Sequence, residues 1–271
     1  MFASPDLRSC ARSLRYHAWL AVQLAVRDIQ TRYRSTRLGW LWAFVAPLLM
    51  LVVYTFTFKY IFRVRWVGAG DDPLAFALHL LAGLLVFQAV AECWARAPRL
   101  ILEQPHLVKK VVFPLSLLPW ASVVNVLFHA LMSMVLLMLV AGFSGVPLRW
   151  QWALLPLLLL PLALLLWSSS LLLASLGVFI RDLPQVVTLV VGLLQFLSPV
   201  FYPVSSLPAD IQGLASWNPL TVYMEQIRAW VFAEVQPTWG QWSHSLLITG
   251  VLLGAGYALF RRLKKGFADV I

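Results

Sequence analysis

Charged side chains are scarce in this sequence. Asp, Glu, Lys and Arg together make up 12% of its 271 residues, where soluble domains carry roughly 25%. Acids are the scarcer sign, 11 against 21 Lys and Arg. Cysteine is nearly absent: Cys10 and Cys93 have no spaced partner, which excludes a disulfide framework and a cysteine zinc motif. No apolar run follows Arg8, Arg12 and Arg15, so no cleavable signal peptide is expected. Nor is there a G-x-x-x-x-G-K-S/T motif, so no P-loop is expected in this chain. What the sequence has in abundance is apolar surface. It is 61% hydrophobic with a mean hydropathy of +0.81, more than a water-soluble fold of this size can hide. The chain therefore reads as a polytopic membrane protein. Its formal charge of +10 then belongs to cytoplasmic loops and anionic lipid headgroups rather than to nucleic acid.

A helix needs about 20 mostly apolar residues to cross the hydrocarbon core. Six stretches qualify as candidates: Leu41–Ile61, Leu74–Trp94, Val111–Gly142, Ala153–Ile180, Val186–Phe201 and Ser245–Phe260. Pro47, Pro156 and Pro161 fall inside apolar runs, where kinks are expected. Sixteen of the Lys and Arg residues lie on one side of this arrangement and five on the other. That bias puts both termini in the cytoplasm. Gly250 and Gly254 form a GxxxG pattern that signals close helix packing in the last span.

Three segments between the spans carry more pattern than a loop needs. From Leu14 to Tyr33, Leu14, Ala18, Ala21, Val22, Ala25, Val26, Ile29 and Tyr33 share one helical face, with Gln23, Arg27, Gln30 and Arg34 opposite. This predicts a helix over 14–34 in the cytoplasmic interface, apolar side in lipid. Membrane anchor and docking surface both fit it. Pro98 suits a first helical position and Pro105 a stop, which predicts a short cytoplasmic helix over 99–104. In the outer segment 203–242, Pro208 can start a short helix, Asn218-Pro219 marks a turn, and Leu220 to Ala233 is too short to span. Glu225 and Arg228, three residues apart there, are placed to pair.

Residues able to do chemistry are sparse. Glu92 and Asp182 lie at span ends, His79 and His129 are isolated, and no metal-ligand spacing or catalytic triad stands out. An integral membrane acyl- or glycosyltransferase would need a polar catalytic cluster. A secondary transporter would show intramembrane carboxylates or inverted repeats. Aromatic residues are plentiful instead: Trp40, Trp42, Phe44 and Tyr54 near or in the first span, and Phe196, Phe201 and Tyr202 in or after the fifth. A lipid belt with packing explains them, and so does a conduit whose ring faces stack on sugars.

Several runs together resemble the ABC-2 type permeases that export polysaccharides. They are RDIQTRYRSTRLGWLWAFVAP (Arg27 to Pro47), KKVVFPLSLLP (Lys109 to Pro119), RDLPQVV, SPVFYPVSSLP, WNPLTVYMEQIR and the tail FADVI (Phe267 to Ile271). They cover nearly the whole chain in the family's order, and the tail is similar to that of O-antigen exporters, with capsule and teichoic-acid exporters as cousins. The resemblance implies an all-α integral membrane fold of the type V exporter kind: six spans, an amino-terminal interface helix and two short outer gate helices. It implies a homodimer in the bacterial inner membrane with two copies of a separate ABC ATPase. ATP and Mg would bind that partner, with no cofactor in this chain. The cargo would be a glycan on undecaprenyl diphosphate, passing through a channel at the dimer interface. Carried onto this sequence, the family assigns ATPase coupling to Arg27, Asp28, Arg34, Arg99 and Glu103. It assigns channel lining to Trp40, Trp42, Phe44, Tyr54, Phe196, Phe201 and Tyr202, and the outer gate to Asn218, Pro219, Glu225 and Arg228. No carbohydrate-binding domain is expected here, so a sensor of the glycan end would belong to the ATPase.

Overall fold

The computed structural model describes residues 7–34, 37–64, 66, 72–109, 113–147, 149–232 and 235–271. Arg65, Asp71, Lys110, Val111 and Ala233 lie outside the described residues, as do the side chains of Arg8, Cys10, Arg12, Leu14, Arg15, His17, Ala18 and Arg32. All regular elements among the described residues are helical. Five helical stretches are long and apolar enough to cross a membrane: Gly39–Ile61, Pro73–Arg99, Leu117–Phe143, Trp150–Gly177 and Trp239–Gly266. The sixth expected span is a 15-residue helix, Leu183–Leu197. At 1.5 Å per residue it reaches about 22 Å, short of a hydrocarbon core of about 30 Å. Extended backbone at Ser198 ends it before the Phe201 boundary expected from hydropathy.

The first helix, α1 (Leu7–Arg34), begins before the expected boundary at 14. Its apolar face divides. Ala21, Ala25, Ile29 and Tyr33 are buried, with α1 packed on α5 (Leu117–Phe143), while Trp19, Val22 and Val26 stay exposed. The expectation that the whole face lies in lipid is thus corrected. A helix has room for two contacts on one wide apolar stripe, and here protein takes half of it.

Burial singles out α3 (Pro73–Arg96) as the centre of the bundle. Pro73 takes the first helical position, and the Asp72 carboxylate accepts a 2.9 Å bond from the Leu74 amide, so the helix starts capped. It is then apolar nearly all round, the pattern of a helix enclosed by others. Against it pack α2 (Trp42–Thr55), which continues through a π-helical turn at Phe56–Ile61, α5, α6 (Leu159–Gly177), α7 (Leu183–Leu197) and α9 (Pro219–Phe232). Of the most apolar 18-residue window, 78% is buried in α3 and 11% in the α2 stretch, which places α2 on the outside.

Prolines act at several of the expected places. Pro47 sits inside α2, where the Ala43 carbonyl loses its amide partner. Pro156 lies in a 3-10 stretch, Trp150–Leu158, that precedes α6. The last span is longer than the expected 245–260. It is α10, Trp239–Leu263, started by a reciprocal capping box between Thr238 and Gln241. It packs on α6, but not through the GxxxG pair: Gly250 and Gly254 face open space, and Gly256 makes the close approach, with Ser168 O 2.7 Å from where a Cβ would sit.

Two glycines predict opposite outcomes. A Cβ at Gly83 would stand 2.6 Å from the Arg228 guanidinium and 3.1 Å from Val200 O, whereas one at Gly142 meets nothing within 4 Å. We predict that Gly83→Ala destabilises the protein by about 1–3 kcal/mol through overpacking. Gly142→Ala should be neutral or stabilising by a few tenths. Thermal unfolding in detergent checks the pair, and equal midpoints would show that α3 has slack at Gly83.

Candidate functional site

At one end of the bundle, α1 meets the end of α3. Asp28 Oδ2 lies 3.4 Å from Arg96 Nη2, both side chains part-exposed. Arg27 and Arg34 point into the open, and Thr31 Oγ1 donates to Arg27 O at 2.8 Å. Beyond α3 the expected 99–104 helix is not formed. A 3-10 turn at Ala97–Arg99 leads into non-helical turns, and the short helix is α4, Pro105–Lys109. Pro105 therefore opens a helix instead of ending one, because a first-turn amide needs no partner. Arg99 and Glu103 are exposed, with the Glu103 amide donating to Arg99 O at 2.9 Å. This turn is held from behind. Ile101 is fully buried with Phe260 and Phe267, and the backbone of Pro98 crosses α6 where only Gly177 leaves room for it.

The expected lining aromatics form two groups rather than one column. At the α1 end of the bundle, Trp40 stacks on Tyr33 at 5.5 Å and meets Phe128 edge-on at 5.5 Å. Trp42 lines a cavity beside them and Phe44 packs half-buried between α1 and α5. At the opposite end, Tyr54 and Phe58 meet Phe201 at 5.2 and 4.1 Å. Tyr54 Oη accepts from Gln195 Nε2 at 3.0 Å. Phe201 is buried and Phe196 exposed. Tyr202 donates to Phe196 O at 2.9 Å, and burial raises its phenol pKa above the ordinary value. Trp42 and Phe196 are therefore not neighbours.

The outer segment forms a tight hub. Two helices follow α7: α8 (Ala209–Trp217) and α9 (Pro219–Phe232). Asn218 joins them. Its Oδ1 accepts from the Leu220 amide at 3.0 Å while its Nδ2 donates to Ser198 Oγ at 2.8 Å. From α9, Arg228 is completely buried. It donates to Glu225 Oε1 at 2.9 Å, to Val200 O at 3.2 Å and to His79 O at 3.3 Å. Its guanidinium also lies 4.4 Å over the Trp66 ring. The Leu220 to Ala233 segment, too short to span, allows a surface helix. The burial of most of α9, from Leu220 to Val231, removes it.

The sequence pattern defining ABC-2 type transporters matches residues 20–232, most of the chain. The chain belongs to the ABC-2 type transporter family. Among curated proteins it is similar to the O-antigen export system permease protein RfbA of Klebsiella pneumoniae, at 27% identity over 96% of this chain and 97% of that protein. It is 26% identical to RfbA of Myxococcus xanthus over 96% and 98%. The polysialic acid transport protein KpsM of Escherichia coli is 25% identical over 88% and 91%.

Three features of this ABC-2 chain escaped the sequence reading. Arg96 holds Asp28, but the two are 68 residues apart. His129 was read as isolated, yet its Nδ1 is 3.0 Å from Glu92 Oε2 across α3 and α5. Arg228 showed only its spacing to Glu225. Its contacts to Val200 and His79 have no local signal. For this hub we predict that Arg228→Leu costs about 3–5 kcal/mol, because Glu225 and two carbonyls lose their cation. Arg228→Lys should rescue little, since an ammonium cannot reproduce the planar fork. Wild-type thermal stability in either variant would show that the hub adds nothing.

Proposed function

We propose that this chain is the membrane permease subunit of an ATP-driven exporter of a lipid-linked polysaccharide, with O-antigen as the leading cargo. The observation that carries the reading is the end-to-end similarity to permeases named for O-antigen export, over 96% of the chain. Capsular or teichoic-type polymer is the alternative, its capsular form supported by the 27% identity to the capsule polysaccharide export inner-membrane protein CtrC of Neisseria meningitidis. The glycan would ride on undecaprenyl diphosphate through a channel between two copies of the chain. The uncovered apolar faces of α2 and its π-helical continuation (Leu49, Val52, Phe56) and of α7 (Leu189, Leu193, Phe196) would be shared between lipid and the second copy. The protein would sit in the bacterial inner membrane as six spans with both termini cytoplasmic, supported by the Lys and Arg asymmetry.

Two copies of a separate ABC ATPase would bind the cytoplasmic face and supply the ATP and Mg chemistry, leaving this chain non-enzymatic. The exposed Arg27 and Arg34 on α1 and Arg99 and Glu103 on the turn after α3 offer charges of both signs to that partner. Rigid seating is what coupling demands of such elements. The Asp28–Arg96 pair ties α1 to α3, and the buried Ile101 ties the turn to α10. A push on α1 would then reach α2 through the Tyr33–Trp40 stack. On the outer side, Asn218, Pro219, Glu225 and Arg228 would hold α8 and α9 as the gate.

The test is isolation of the tagged protein from its native operon under mild detergent. A stoichiometric ATPase with vanadate-sensitive turnover is expected, and deletion of the chain should remove a surface glycan. A protein that purifies alone, with surface glycan unchanged on deletion, would overturn the reading. Within it, Arg27→Glu and Glu103→Ala are expected to reduce export at least fivefold at normal membrane abundance. Full export by both would remove them from the coupling surface.

A further inference from the structure

The half of the bundle that carries α1 holds a partly open cavity of about 420 Å³ between α1, α2, α3 and α5. That size falls in the range of small-ligand sites, roughly 300–1,000 Å³. One end is apolar, walled by Met50, Leu81 and Leu84. The other end is polar and lies near the cytoplasmic end of α3, one turn before Arg96. There Gln88, Glu92, His129 and Ser133 line the space beside Trp42.

The polar end is under-satisfied. The His129 ring is held by Glu92 at 3.0 Å through Nδ1, with Tyr33 and Phe128 at 6.0 and 5.6 Å, yet its buried Nε2 has no hydrogen-bond partner. Among the described residues, the Gln88 amide and Ser133 hydroxyl also make no side-chain hydrogen bond. Gln88 is the one exposed position between Phe76 and Val90, where every other residue is buried. Unpaired polar atoms in an apolar bundle are costly. A group that both donates and accepts at several points would relieve them.

Charge and shape narrow the ligand class. The Glu92 carboxylate opposes a phosphate at this end. An alkyl chain there would leave the amide, the hydroxyl and the imidazole nitrogen unpaired. A pyranose ring supplies hydroxyls that donate and accept, together with an apolar face for the partly exposed Trp42 indole. We propose that this cavity is a binding subsite for a sugar ring, with Gln88, Glu92, His129 and Ser133 taking its hydroxyls and Trp42 its face. The apolar end toward Met50 receives whatever alkyl group the sugar carries. The inference rests on the reading of the chain as a glycan permease and adds a subsite inside one protomer.

Photolabelling of the full-length chain in native membrane vesicles tests it. The probe is an alkyl β-glucopyranoside bearing a diazirine next to the anomeric oxygen, with labelled peptides mapped by mass spectrometry. Label is expected on residues of α2 or α3 that face the cavity. Millimolar methyl glycosides, tried as the gluco, manno, galacto and rhamno forms, should suppress it at least fivefold in one case. The double substitution Gln88→Leu with Ser133→Ala should cut it at least tenfold at unchanged thermal stability. Ala46→Trp, which fills the cavity, should do the same. Suppression by dodecanol but by no sugar would overturn the proposal in favour of a chain pocket. So would label elsewhere, or undiminished label in the stable double variant. Failure here with surface glycan still lost on deletion of the chain sinks the subsite alone. Sugar-competed label with surface glycan unaffected by deletion sinks the exporter reading alone.

Discussion

Buried backbone that leaves the helix must find hydrogen-bond partners, and this chain leaves the helix in its own interior. Between α7 and α8 the residues Ser198, Pro199, Val200 and Phe201 are buried and non-helical. Without water, each unpaired carbonyl there would cost on the order of kcal/mol. Arg228 supplies the missing donors. It takes Val200 O and, in the same fork, a carbonyl of α3 at His79, while Asn218 reaches Ser198 from the turn between α8 and α9. Glu225 and the Trp66 ring compensate the buried cation. The broken α7, the inserted α9 and the central α3 are consequences of one another. Gly83 is the position that lets them close together.

The half of the bundle that carries α1 is organised around the same central helix by a different means. Its exposed charges sit on elements that have little freedom of their own: α1 pinned by Asp28–Arg96, the turn after α3 pinned by Ile101 and Gly177. Stiff attachment of an exposed surface is what a force-transmitting contact requires. The two ends are joined by α2, which carries the Trp42 group at one end and the Tyr54 group at the other. Its 14 helical residues separate them by about 20 Å.

Much of the architecture was legible because hydropathy and helix punctuation are local. The long apolar runs, the Pro208 start and the Asn218-Pro219 turn each depend on residues within a turn or two of one another. What failed was also local reasoning, applied where tertiary contact decides. Pro105 fits a helix end or a helix start, and the chain uses it as a start. Gly250 and Gly254 fit a packing motif, but the rotation of α10 on α6 brings Gly256 into contact instead. Val22 and Ala25 belong to one apolar face, yet only Ala25 meets α5. The Arg228–Glu225 spacing was visible, and the fact that Arg228 is buried was not.

By itself the sequence determined that the chain is an apolar helical membrane protein and marked the five runs long enough to cross a bilayer. Its ordered motifs also pointed to the ABC-2 family. These follow from composition and short-range periodicity, which need no partner to be read. The tertiary structure alone decided which carboxylate meets which cation, which aromatic rings share a space, and where polar atoms are left unpaired. Glu92 and His129 are 37 residues apart, Asp28 and Arg96 are 68 apart, and His79 and Arg228 are 149 apart. Contacts over such distances depend on how helices rotate and cross, and that is set by packing the whole bundle at once.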